Sequence, residues 1–354
     1  MVNLGVIGYG IRSNVLIGAS GAFDEVRRAA IADVNQAARE RAESDHPDAA
    51  IFEDYRAMLD SGEVDAVLVE SPPSTHAACS IEALNRGIHV LSDVPAVHEI
   101  PEAQALWDAG QKSKAVYLFG ATTNFWAYID ACLDMKEKGL LGEPFYCEAE
   151  YVADLGNLPE ITPWRKHYEP IRYCTHSLGP ILKWVDEDLA NVSCFSTGSH
   201  IHKDPKDDDA MVAIFKTKGN VVVKLLTCFV NAHPAPFHRY VCHGTKGYFE
   251  KTQPLAGGEY QVLACTKAVY GMQGLMNLPV TESRPEHAHS IGVGGHGGAD
   301  GLMIEDFLAA IACKKEPTVN MREALRMTLP GIYALESARK GGQLTKISYP
   351  WEDR

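Results

Sequence analysis

The sequence predicts an α/β protein in two parts. Residues 1–122 are expected to form a doubly wound parallel sheet. Residues 123–354 form an α+β domain on a large, mostly antiparallel open sheet. Three observations carry this expectation. Apolar strands alternate with helices through the first third; a glycine turn follows the first strand, with an acidic residue about one βαβ unit later; and after Thr122 the pattern changes to alternating strands joined by hairpin turns. At 354 residues, the chain is long enough for two domains with sizeable cores.

Leu4–Ile7 is the first strand and ends in Gly8-Tyr9-Gly10-Ile11-Arg12-Ser13, where a helix begins. Val26–Ala32 is the second strand, followed by Asp33 and a helix over Asn35–Ser44. Ile51-Phe52 is a short third strand, and Asp54–Asp60 a helix. The run VDAVLVES (64–71) is nearly all apolar, as a strand covered on both faces must be. A helix over Ser74–Arg86 stops at Gly87; IHVLSD is the fifth strand, Pro101–Ser113 a helix and AVYLFG (115–120) the sixth strand. Beyond Thr122, strand-like runs include FYCEAEYV, NVSCFSTG, DAMVAIFKT, GNVVVKLLTCFV, FHRYVCHG, GYFEKT and EYQVLACT, with turns at Lys218-Gly219-Asn220 and Gly244–Gly247. Helices are expected around Ser177–Val185, Gly301–Cys313 and Arg322–Lys340, the last two packing back on the first domain.

A net charge of −13 (33 basic against 46 acidic residues) argues against nucleic acid or an anionic membrane as the main partner. No apolar run approaches the ~18 residues of a membrane span. The nine cysteines form no CxxC pair and lie in apolar segments, as reduced core thiols do. The first strand starts by Leu4, leaving no room for a signal peptide, so a cytoplasmic location is expected. His200/His202 and His287/His289 have metal-ligand spacing without a supporting cysteine or carboxylate pattern, and no metal is expected.

In a doubly wound sheet, ligands bind beyond the carboxyl ends of the strands where the strand order reverses. Gly8 permits the tight turn, Gly10 lets a diphosphate approach a helix N-terminus, and Ser13 is small enough to stand for the third glycine. Asp33 is placed to accept ribose hydroxyls and repel a 2′-phosphate, which favours NAD over NADP, although Arg27, Arg28 and Arg39 are nearby in sequence. Further cofactor candidates at the strand ends are Ile11, Arg12, Ser71, Pro72, His76, Asp93, Pro95 and Asn124. Val94, between Asp93 and Pro95, can pack against a nicotinamide ring or an apolar sugar face but cannot move a proton.

Together GVIGYG, IADVN, FEDYRAML, VDAVLVESPPSTH, ALNRGIHVL with its acidic-x-Pro end, GLLGEP and GTKG resemble the Gfo/Idh/MocA-type oxidoreductases over essentially the whole chain. The resemblance implies a Rossmann domain with a nicotinamide cofactor, a sugar, inositol or polyol substrate, and homodimers or homotetramers formed through the C-terminal sheet. Two departures stand out. The family's usual Glu-Lys-Pro, whose lysine helps deprotonate the reacting hydroxyl, is here Asp93-Val94-Pro95; and the Asp that commonly stands four residues before a catalytic His is here Arg172, before His176.

His176 and Tyr173, three apart at a helix start near Thr175, can point to one side. A histidine titrating near neutrality can accept a hydroxyl proton, and the resemblance makes His176 and Tyr173 the catalytic candidates. Arg165, Arg172 and His296 are candidate substrate contacts; Lys166, His238 and Arg239 make an anionic sugar conceivable. His296 sits in the glycine-rich GVGGHGGAD (292–300), whose Asp300 is placed to cap the following helix. The acidic-Val-Pro end, Tyr-x-x-His and His-Gly-Gly-x-Asp are similar to the family's NAD-dependent glycosidases of the α-N-acetylgalactosaminidase type. That similarity implies hydride transfer at a ring hydroxyl, with the cofactor recycled. The alternatives are a net sugar or inositol dehydrogenase and a non-catalytic NAD-binding sensor.

Overall fold

The computed structural model describes residues 1–156, 160, 162–201, 203–230, 236–254, 260–280 and 293–352. His202, His287 and His289 lie outside the described residues. The chain divides into two compact units, Met1–Thr122 with Ser283–Leu325, and Thr123–Glu282 with Arg326–Arg354.

In the first unit, β1 (Val2–Ile7), α1 (Ile11–Ser20), β2 (Val26–Ala32), α2 (Gln36–Asp45), β3 (Ala50–Phe52), α3 (Tyr55–Asp60), β4 (Ala66–Val69), α4 (His76–Asn85), β5 (His89–Ser92), α5 (Ile100–Lys112) and β6 (Tyr117–Phe119) alternate in order. The strands run parallel in the order β3-β2-β1-β4-β5-β6, the doubly wound arrangement the alternation predicts. Ala66–Val69 is wholly buried, which explains its unbroken apolar run. Because the order reverses between β1 and β4, Ile7 pairs with Val69, and the residues after each strand, Gly8 and Glu70, emerge side by side. Helix Ala299–Cys313 belongs to this unit and packs on α1.

The second unit is a nine-stranded sheet of β7 (Pro144–Val152), β8 (Leu189–Ser196), β9 (Ala210–Thr217), β10 (Val222–Cys228), β11 (Phe237–Gly244), β12 (Gly247–Lys251), β13 (Val262–Thr266), β14 (Met276–Asn277) and β15 (Thr345–Lys346). Their order is β14-β13-β12-β11-β7-β10-β9-β8-β15, with β7 and β10 parallel and the other pairs antiparallel. Asn220, at φ 73°, makes the turn between β9 and β10. Side chains alternate faces along each strand. Tyr151, His238, Tyr240 and Lys251 share one face, because His238 pairs with Tyr151 and Lys251 with Tyr240. Glu148, Glu150, Arg239 and Glu250 share the other, where Arg239 bridges all three carboxylates. Helices α6 (Ala127–Glu137) and α7 (Thr175–Trp184) pack on each other, α7 also covers β7, and Trp184, Phe215, Phe249 and Tyr240 fill the core.

Two expected details change. The helix foreseen over Ser74–Arg86 begins as a 3₁₀ turn, Pro73–Thr75, before α4, since Pro73 restricts the first turn. Asp300 does not cap its helix: Gly298 occupies that position and Asp300 is the second residue of the helix, accepting from the Gly295 amide at 2.8 Å.

Helix α2 follows Asp33 directly. Its Asn35 cap accepts from the amides of Ala37 and Ala38, while the Asn35 amide donates to Asp33. Asn35→Ala should therefore lower stability by about 1 kcal/mol, read as a reduced urea midpoint at unchanged slope.

Candidate active site

At the reversal point of the parallel sheet, Gly8 has φ +94°, and a Cβ there would stand 2.8 Å from the Ser71 nitrogen and 2.9 Å from the Glu70 carbonyl carbon. Gly10, at the N-cap of α1, has open space where a Cβ would be. Ser13 is buried; its hydroxyl accepts from the Gly10 amide at 2.8 Å, holding the loop against the helix start. Asp33 follows β2 directly, with one oxygen accepting from the Tyr9 amide and the other from the Asn35 amide, each at 2.7 Å. Arg39 donates to the Asp33 carbonyl. His76 is buried, its two ring nitrogens at 2.8 Å from the Pro95 carbonyl and 2.6 Å from the Ser71 carbonyl, so it links the ends of β4 and β5. The Val94–Pro95 peptide is cis, and Val94 is only 4% exposed.

Arg12 joins the glycine turn to the His296 loop. It donates to Asp300 at 2.8 Å, lies 3.5 Å from His296 Nδ1 and has Asp93 at 3.9 Å. The Asp300 side chain is fully buried and receives His296 at 3.3 Å on its second oxygen. Burial opposes its ionisation, but hydrogen bonds from His296 and Arg12 and the guanidinium charge prevail, holding the carboxyl well below the usual range. Glu70 behaves in the opposite way. Burial and the nearby Asp93 push its carboxyl well up despite Arg12, and neither oxygen has a hydrogen-bond partner among the described residues.

In the second unit, the 3₁₀ turn Pro170–Tyr173 leads into α7 and brings Tyr173 and His176 together, with Tyr173 Oη 3.2 Å from His176 Nε2. His176 is 7% exposed. Tyr151 stacks near its ring at 6.3 Å and meets Tyr173 and His238 edge-on at 5.4 and 4.6 Å. Tyr240 donates to the His176 carbonyl at 2.7 Å and lies 3.3 Å from His238 Nδ1, tying the start of α7 to β11. Lys251 donates to the His238 carbonyl, with the rings of Tyr260 and Tyr128 at 4.5 and 5.6 Å. Burial brings its ammonium down to about 8.

The remaining candidates divide. Arg165 lies over Trp164 at 4.3 Å and near Tyr173 at 5.6 Å. Arg172 is buried and ion-paired with Glu169 at 3.1 Å. Arg239, weighed for an anionic sugar, is instead held by carboxylates on the opposite sheet face from His238. Asn124 falls in the second unit, packed so closely on Gly179 that a Cβ there would clash with its side chain. Sequence reasoning missed Glu70, Tyr151, Tyr240 and Lys251. The strand residues become legible only through ladder register, which no local motif encodes.

Residues 2–121 match the Gfo/Idh/MocA family model, described as an oxidoreductase family with an NAD-binding Rossmann fold. Residues 2–121, the greater part of the first unit, are thus similar to that family's NAD-binding domain. A glycosyl hydrolase family 109 protein of Solibacter usitatus is 26% identical over 398 residues, covering 98% of this chain and 87% of that one. The alpha-N-acetylgalactosaminidase of Shewanella oneidensis is 26% identical over 204 residues, 52% of this chain, and the match spans only 44% of that relative's length. Levoglucosan dehydrogenase, in complex with NADH and levoglucosan, superposes with a TM-score of 0.79 at 19% identity, covering 98% of this chain and 99% of that chain. The likeness to that structure establishes the fold. The first unit's residues fit NAD: Gly10 leaves room for a diphosphate at the start of α1, and Asp33 presents a carboxylate at the end of β2.

Asp33→Ala should weaken NAD binding by about 1–3 kcal/mol and relax discrimination against NADP. Calorimetric titration with both cofactors, with the melting point measured alongside, checks this. Lys251 gives a second prediction. The unfolded lysine keeps its proton to about 10.4, so between about 8 and that value the folded chain binds fewer protons, and stability rises with pH. Lys251→Met should abolish this rise, seen by comparing urea midpoints below and above the window.

Proposed function

We propose that this protein is an NAD-dependent enzyme that cleaves a glycoside by transient oxidation of a ring hydroxyl at the sugar's 3-position. The observation that carries the reading is the His176–Tyr173 contact, 3.2 Å between nitrogen and hydroxyl, set in an aromatic wall suited to a sugar face. The near-full-length similarity to a glycosyl hydrolase family 109 protein supports it. Val94, at the end of β5, has no proton to exchange, so a base must come from elsewhere, and His176 with Tyr173 supplies one.

Bound NAD supplies a hydride acceptor that can return what it takes. His176, aided by Tyr173, accepts the hydroxyl proton as that carbon is oxidised. The resulting ketone acidifies the hydrogen on the adjacent carbon; its removal expels the aglycone from the anomeric carbon, water adds, and reduction restores the alcohol. Tyr240 holds the first turn of α7 through the His176 carbonyl, so the imidazole is oriented before substrate arrives. This route needs no pair of opposed carboxylates of the ordinary glycosidase kind.

A net sugar dehydrogenase is the second reading. Lys251 favours it, because an amine near neutrality in the same aromatic cluster is suited to supporting alcohol oxidation. Incubation with NAD⁺, aryl glycosides and free sugars separates the two: aglycone release without net NADH supports the glycosidase, and NADH accumulation supports the dehydrogenase. His176→Ala should reduce turnover about 10²–10⁴-fold while NAD binding persists, and a fully active variant would overturn the assignment. Val94→Ala should cost only modest activity, whereas Val94→Lys should raise NADH release from free sugars as aglycone release falls.

A further inference from the structure

Beside the aromatic wall, the second unit contains a cavity of about 490 Å³ whose lining includes His167, Asp204, Asp207, Asp209, Arg165 and Phe229. Donor atoms of His167, Asp204 and Asp207 all lie within 4.8 Å of one another. The geometry has a local cause. The Asp207 amide donates to the Asp204 carbonyl at 3.0 Å, and the Lys206 amide to the Asp204 carboxylate at 3.0 Å, so one tight turn presents both acids. His167, at φ 61° after the turn Pro163–Arg165, brings Nδ1 to 2.6 Å from Asp207.

An independent observation comes from Asp209, 6% exposed, on the same cavity. One of its oxygens accepts from the His200 and Ile201 amides, while Oδ1 is buried with no hydrogen-bond partner among the described residues. A buried carboxylate oxygen so placed is costly unless a cation compensates it. Five carboxylates line the cavity (Glu160, Asp204, Asp207, Asp208 and Asp209) against the cations Arg165 and Lys166, and Arg165 is stacked on Trp164.

We propose that His167, Asp204 and Asp207 form a divalent-cation site. Ligands at about 2.0–2.2 Å from an ion stand about 3–4.4 Å apart, so the observed cluster needs to move by less than about 1 Å to enclose one. Imidazole with carboxylates suits Zn²⁺ or Mn²⁺ better than Ca²⁺ or Mg²⁺, which prefer all-oxygen shells. Arg165 and Phe229 also touch Tyr173, so the ion would border the wall described above, although the site does not depend on that wall's proposed chemistry. Sequence reasoning, which weighed only the histidine pairs, expected no metal; His167 and Asp207 are forty positions apart and meet only through folding.

The test is calorimetric titration of chelator-treated, full-length protein with Zn²⁺ and Mn²⁺, alone and as Asp204→Asn, Asp207→Asn and His167→Gln variants. Saturable micromolar binding, weakened at least about tenfold in each variant with NAD affinity and circular dichroism retained, is the expected result. No saturable binding at millimolar ion would overturn the proposal and leave a His167–Asp207 ion pair that only tethers two loops. Binding unchanged by the substitutions would place the ion elsewhere and overturn it equally. Should one variant misfold, the other two decide.

Discussion

Gly8 lies at φ +94° against the backbone of Glu70 and Ser71, so close that any side chain would collide with the Ser71 nitrogen. This approach lets β1 end level with β4 at the point where the strand order reverses. The turn that follows can then deliver Gly10 and the start of α1 to the strand ends. His76 reinforces the arrangement by joining the carbonyls of Ser71 and Pro95 through one ring. The cofactor region of the first unit is thus backbone held by backbone, and side-chain charge is added afterwards.

That charge is unevenly distributed. Around Arg12 stand Asp93, Asp300 and Glu70, and the single guanidinium cannot satisfy all three. Asp300 gains the short hydrogen bond and stays ionised; Glu70, without one, holds its proton more tightly. The consequence is a fixed link between the glycine turn and the His296 loop, beside a buried carboxyl whose proton is held more tightly than usual.

The second unit solves a different problem. Its long sheet has a charged face, where Arg239 gathers three glutamates, and an inner face under α6 and α7 that accepts aromatic residues, histidines and one lysine. Three polar groups here have defined partners: Tyr240 the His176 carbonyl, Lys251 the His238 carbonyl, and Tyr173 the His176 imidazole. A rigid aromatic surface with polar atoms at its edge is the chemistry that sugar rings require, apolar across the face and hydrogen-bonding at the rim.

The sequence by itself determined the order and type of most elements, because strand and helix periods and glycine turns are local properties of the chain. It also placed His176 beside Tyr173, since three residues at a helix start span less than one turn. Short edge strands escaped it: β14 and β15 have two residues each, too few to show alternation. Asp300 is not the cap its position suggests, because the glycines before it take left-handed conformations and start the helix two residues early. Ladder register, which depends on contacts between residues far apart in the chain, decided that Tyr151 faces His238 and that Arg239 turns away from both. Only the tertiary structure could do so, because a strand's pattern specifies its two faces but not what will stand opposite either one.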